Sequence, residues 1–216
     1  MQGIVSRVVA CFLAIVSISV LSAESLPTPT VTKVGDHTYY VQGVAGVASR
    51  SNRNFISNAG FVVTPAGVVV YDALGSPPIA RELIAAIRRT TPARIVRVIV
   101  GHYHADHIYG LQEFKAVGAE IWAHRAGREY LASDAAQQRL EATRAEIAPY
   151  VDQNTSLVPA DRWLEGDTSF ELGGVRMTVL HAGPAHTPED LVLVVEPDGV
   201  LFAGDLVFRG RLPFVG

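Results

Sequence analysis

Along the chain, unbroken apolar runs alternate with stretches of helical spacing. FVV (61–63) and VVVY (68–71) flank TPAG, where Pro65 suits a turn and Gly67 closes it, so a β-hairpin is predicted. Ser76 ahead of Pro77 is a helix-start pairing, and Ile79, Leu83 and Ile87 then fall on one helical face. This predicts a helix over about 77–89. IVRVIV (95–100) reads as a buried strand, followed by a helix from about Asp106 to Val117 that stops at Gly118. Ile121 and Trp122 belong to the next strand. Residues 134–148, rich in Ala, Gln, Glu and Arg, read as a surface helix, and strands return at 168–172, 175–181, 191–196 and 200–203.

A weak internal repeat runs through this pattern. FVVTPAGVVVYDA (61–73) is similar to LVVEPDGVLFAGD (193–205): each is strand, Pro-x-Gly turn, strand and an aspartate, Asp72 and Asp205. Two chance hairpins would look alike. A duplicated α/β unit would instead bring equivalent strand ends to one site, where α/β proteins place their chemistry.

The first 23 residues stand apart. They hold one charge, Arg7, then VVACFLAIVSISVLSA, the pattern of a signal peptide cleaved after Ser22 or Ala23. The apolar run is short for a membrane span, and Cys11 sits inside it rather than after it, unlike a lipoprotein box. Removing 1–23 leaves no cysteine, so disulfides and cysteine ligands are excluded, and leaves 17 basic against 21 acidic residues. Residues 24–32 read as a mobile Pro/Thr-rich lead-in, and 33–216 as one domain. Without a basic run, no nucleic-acid partner is expected; after signal cleavage, neither is stable membrane insertion. The expected location is the periplasm or the exterior.

The chemistry concentrates in GHYHADHIYG (101–110), which holds three of the seven histidines. In an extended segment residues i and i+2 point the same way, so His102 and His104 project together past the buried strand. Asp106 and His107 follow where the chain turns into a helix. Imidazoles with a carboxylate suit Zn²⁺, and also Fe or Mn. His37 reads as a structural or exposed residue at a turn into a strand, His124 as a strand-end residue, His181 as a strand-end histidine ahead of a supporting role behind the ligands, and Asn58 as either a turn residue or a cleft residue. Residues from about Ala126 to Trp163 are expected to cover the cleft.

His102-Tyr103-His104-Ala105-Asp106-His107 resembles the His-x-His-x-Asp-His signature of the metallo-β-lactamase-fold hydrolases, and the likeness extends over most of the chain. GHYHADHIYG, GPAHTPEDL (183–191) and GDLVFRGRLPFVG (204–216) look most like the secreted quinoprotein relay system zinc metallohydrolases. The resemblance implies an α/β fold, a four-layer αββα sandwich. It implies His102, His104 and His186 on a first zinc ion, Asp106 and His107 on a second, and Asp205 bridging. Asp72 would support the histidine loop without binding metal. A metal-bound hydroxide would attack a carbonyl-type small-molecule substrate, with Asp106 shuttling a proton. Asp205 resembles the thioester hydrolases more than the β-lactamases, so a thioester or ester is expected ahead of a lactam. The alternatives are a mono-iron sulfur oxygenase of the same fold and a metal-bound accessory protein of a periplasmic quinoprotein system. The family's second site takes one more histidine, and none follows Asp205. A C-terminal part of the domain is therefore expected to be missing.

Overall fold

A computed structural model describes residues 25–209; the predicted signal peptide lies outside them. A seven-stranded sheet holds β1 (Val31–Lys33), β2 (Thr38–Val41), β3 (Ala59–Thr64), β4 (Gly67–Tyr71), β5 (Ile95–Ile99), β6 (Glu120–His124) and β7 (Arg162–Leu164), paired in that order. A second, antiparallel sheet holds β8 (Thr168–Leu172), β9 (Val175–His181), β10 (Leu191–Val195) and β11 (Val200–Phe202). Five α-helices are described, α1 (Pro77–Thr90), α2 (Ala105–Ile108), α3 (Leu111–Ala116), α4 (Gly127–Leu131) and α5 (Asp134–Ile147), with a 3-10 turn over Gly204–Leu206.

The central strands carry unbroken apolar runs because both of their faces are covered. In β4, Val68 and Val70 face a core shared with Leu83, Ile87, Phe114 and Leu140 of the helices. Val69 and Tyr71 face a second core, with Met177, Val179 and Leu193 of the other sheet. All five helices contribute to the first core and none to the second. Three of the four expected layers, α, β and β, are thus present among the described residues, in an α/β fold with two packed sheets. Each fully buried leucine here, Leu83 for example, stabilises the fold by roughly 2 kcal/mol.

The 77–89 helix, the hairpins and the second-sheet strands lie within a residue or two of their predicted bounds. The predicted 106–117 helix is instead two short helices that break at Tyr109 and Gly110. A Cβ on Gly110 would strike the Ala73 carbonyl oxygen, and the Gly110 N–H donates to Leu74 O at 3.1 Å. This close approach to the chain after β4 turns the helix. The lead-in is partly ordered, since Val31 and Thr32 pair with Val41 and Tyr40. Ser76 does not cap α1 with its side chain; its hydroxyl donates to Arg53 O at 2.7 Å. No helix of the described residues is long and apolar enough to cross a membrane.

The repeat is realised as one hairpin in each sheet, β3–β4 and β10–β11. β4 and β5 run parallel, so their C-terminal ends open on the same rim. The β9–β10 loop reaches that rim from the second sheet, and the Leu191 N–H donates to Gly101 O at 2.8 Å.

Candidate metal centre

Two donor sets meet at this rim. The first is His102, His104 and His186; the second is His102, His107 and Asp205. Within each set, one ligand atom per residue lies within 4.8 Å of the others. His186 Nε2 is 3.0 Å from His104 Nδ1. That is close to the roughly 3.3 Å separating two nitrogens on one tetrahedral zinc ion.

Asp205 lies between the sets. Its Oδ1 is 3.2 Å from His107 Nε2 and its Oδ2 is 3.7 Å from His186 Nε2. Asp106 belongs to neither tight set, although its Oδ2 is 3.5 Å from His107 Nε2. His102, expected in the first set alone, is shared by both. Asp72 sits behind the cluster, where its Oδ2 is 2.8 Å from His107 Nδ1 and its Oδ1 accepts the Gly101 N–H at 2.7 Å. The two aspartates of the internal repeat therefore bracket one imidazole, Asp72 at Nδ1 and Asp205 at Nε2.

The electrostatics match a centre built for a cation. Burial lowers His102 well below the usual imidazole range, and the neighbouring His107, His104 and His186 add to that effect. For His107 burial also acts downward, but the carboxylates of Asp106 and Asp72, with a hydrogen bond to Asp205, outweigh it and raise the ring well above its ordinary value. Burial raises Asp72, partly offset by His107. Nε2 of His102 is buried without a hydrogen-bond partner among the described residues, while Nε2 of His107 faces the carboxylates of Asp205 at 3.2 Å and Asp106 at 3.5 Å. An orphaned buried nitrogen costs about 1–3 kcal/mol. A nitrogen left bare in a His/Asp cluster of zinc-site composition fits a divalent ion.

A cavity of about 430 Å³ adjoins the second set and is lined by His107 and Asp205 together with Tyr40, Ile56, Phe202 and Phe208. Of the two suggested roles Asn58 fills the cleft role: it lines this cavity, and its Oδ1 accepts the N–H of Gly43, fifteen residues earlier, at 3.0 Å, which is not a turn contact. None of residues 126–163, expected to cover the cleft, lines this cavity beside the second set. Leu140, Ile147, Val151 and Ala160 pack into the helix-side core instead.

Three supporting contacts left no local mark along the chain. The Ser57 hydroxyl donates to Asp106 O, and Glu189 Oε1 accepts the Tyr103 N–H at 3.3 Å. His124 and His181, read as separate strand-end residues, stack on each other. Each contact joins segments far apart in sequence, so no local spacing could signal it. His37 is structural as expected, with Nδ1 3.2 Å from Val63 O.

A two-sheet α/β sandwich with a His/Asp cluster on one rim defines a metal-binding α/β protein. The family description of the metallo-beta-lactamase superfamily matches residues 52–216, and the chain belongs to that superfamily. It is 23% identical over 187 residues to the metallo-beta-lactamase type 2 of Elizabethkingia meningoseptica, covering 87% of this chain and 66% of that protein. It is 30% identical over 118 residues to the hydroxyacylglutathione hydrolase GloC of Haemophilus influenzae, covering 53% of this chain and 51% of that protein. The chain thus spans between half and two thirds of the length of these relatives. The metallo-beta-lactamase structure from Pontibacter korlensis superposes with a TM-score of 0.65 at 19% identity, covering 86% of this chain and 75% of that one.

Proposed function

We propose that the protein is a metal-dependent hydrolase that cleaves a thioester or ester. The observation that carries this reading is the convergence of His102 and His104, from the loop after β5, with His186, from the β9–β10 loop of the other sheet.

In this reading His102, His104 and His186 would hold a first zinc ion, and Asp106 and His107 a second, with Asp205 available to both. Zinc so held would acidify water and polarise a carbonyl oxygen. The chain's own residues do the rest. Asp72 keeps the Nδ1 proton on His107, which leaves the Nε2 lone pair facing the second set. Asp205 fixes the spacing of the two sets. The Asp106 carboxylate, partly open to solvent, is placed to take a proton from attacking water and pass it outward. The adjoining cavity would seat the substrate and exclude bulk water.

A thioester or ester is favoured over a lactam because Asp205 occupies the position between the sets, as in thioester hydrolases of this fold. The 30% identity to a hydroxyacylglutathione hydrolase, which acts on an acylglutathione, points the same way. The N-terminal signal pattern supports a periplasmic setting, and the likeness of the three motif stretches supports work beside a periplasmic quinoprotein. The test is metal analysis after purification without chelator, followed by a hydrolysis screen over thioesters, esters, lactams and phosphoesters. Bound zinc with thioester or ester turnover supports the proposal. A single iron with oxygen-dependent turnover of a sulfur compound, or bound zinc without hydrolysis of any substrate class, contradicts it.

A further inference from the structure

Outside the metal centre, two more histidines meet. His124 ends β6 in the first sheet and His181 ends β9 in the second, yet their rings stack with centroids 3.7 Å apart and planes inclined by 14°. His124 is buried at 6% exposure. The stack therefore spans the two sheets at the rim that carries the metal centre.

His181 also sits at the root of the loop that carries His186. Its Nε2 is 2.9 Å from Pro188 O. A carbonyl oxygen only accepts, so Nε2 bears the proton and donates. The ring occupies the space beside Gly183, where an added Cβ would come within 3.0 Å of His181 Nε2. Gly183 belongs to the outgoing leg of the loop and Pro188 to the returning leg, so the imidazole fills the gap between them. The returning leg has its own anchors: Asp190 accepts from the Thr187 N–H at 2.7 Å and from the Thr187 hydroxyl at 2.8 Å. Beyond the backbone bonds Ala182 N–H to Asp190 O and Ala185 N–H to Thr187 O, His181 is the side chain that joins the two legs.

We infer that His181, backed by His124, is a positioning residue that sets where the loop delivers His186 relative to His102 and His104. His102 and His104 ride on the first sheet and His186 on a loop of the second. Ligand distances at a metal must hold to about 0.2 Å, so the relative placement of the two sheets at this rim decides the fit. The stack braces that placement, and the hydrogen bond to Pro188 closes the loop. This inference rests on the reading of His186 as a ligand.

Zinc affinity, measured on the full chain by competition with a chromophoric chelator, tests it, together with the visible spectrum of the cobalt-substituted protein. His181→Phe keeps an aromatic ring against His124 but loses the donor. It should bind zinc roughly 10- to 100-fold more weakly and alter the cobalt spectrum. His181→Gln can return an N–H to Pro188 O and should recover affinity to within about 3-fold of wild type. His124→Ala removes the backing ring; it should also weaken binding, and it carries the comparison if His181→Phe does not fold. Thermal melts of the metal-free proteins report stability separately. Wild-type zinc affinity in His181→Phe and His124→Ala, even with a lower Tm, would overturn the positioning role while leaving the metal centre standing. A wild-type chain that binds no zinc would remove the metal reading and this inference together.

Discussion

His107 presents Nδ1 to Asp72 Oδ2 at 2.8 Å, and both side chains are buried, at 1% and 0% exposure. Asp72 also accepts the Gly101 N–H and adopts a left-handed backbone, φ 63°. Asp72→Asn should tolerate that backbone and keep the Gly101 contact, while losing the carboxylate that fixes the His107 proton on Nδ1. Zinc binding at the second set is then expected to fall roughly 10- to 100-fold with the first set little changed. A two-step zinc titration checks this. Asp72→Ala should in addition destabilise the fold, by about 1–3 kcal/mol for each buried partner left unpaired. Urea denaturation measures that difference.

Gly110→Ala is expected to destabilise the protein by about 1–3 kcal/mol, the usual cost of forcing extra volume into a packed site. The added carbon would meet Ala73 O, a backbone atom, and lie 2.5 Å from Ala80 Cβ. Because Ala73 follows Asp72, the displacement should also reach the metal loop. Urea denaturation of the metal-free protein, read beside its zinc affinity, tests both effects; an unchanged midpoint would contradict the close packing.

Asp198 ties the sheets together from the β10–β11 turn. Its Oδ2 accepts the Thr38 hydroxyl at 2.5 Å and the His37 N–H at 2.9 Å. Its slight burial acts upward, but those hydrogen bonds outweigh it and hold the carboxyl below its ordinary value of 3.8. The unfolded chain then binds more protons than the folded one as the pH falls. The contribution of Asp198 is therefore fully present above about pH 4 and is lost as the pH drops through the lower folded value. Asp198→Asn should flatten the acid side of the stability curve below about pH 4, measured by urea unfolding over the acidic range, and leave the shape of the curve near neutrality unaltered.

The strands and long helices were legible because burial on two faces leaves a dense apolar run, as in VVVY and IVRVIV, and a helix packed on one face leaves Ile79, Leu83 and Ile87 in register. β1, β7 and α4 went unpredicted because three to five residues hold too little period to read. The break at Gly110 followed from Ala73, thirty-seven residues earlier, which no local pattern encodes. At the site, His102, His104, Asp106 and His107 announced themselves by spacing. His186, Asp205 and Asp72 needed the resemblance and the repeat, and the His124–His181 stack required the two sheets to be folded face to face.

The central claim is that the rim cluster is a metal centre, and His102 is its most informative residue, because both donor sets share it. The direct measurement is zinc titration of the purified wild-type chain and of His102→Ala, by chelator competition at neutral pH with folding verified by circular dichroism. Tight zinc binding by the wild type, weakened at every occupied site in a folded His102→Ala, is the predicted result. A folded wild-type chain that takes up no zinc, or a His102→Ala variant with wild-type stoichiometry and affinity, would contradict it.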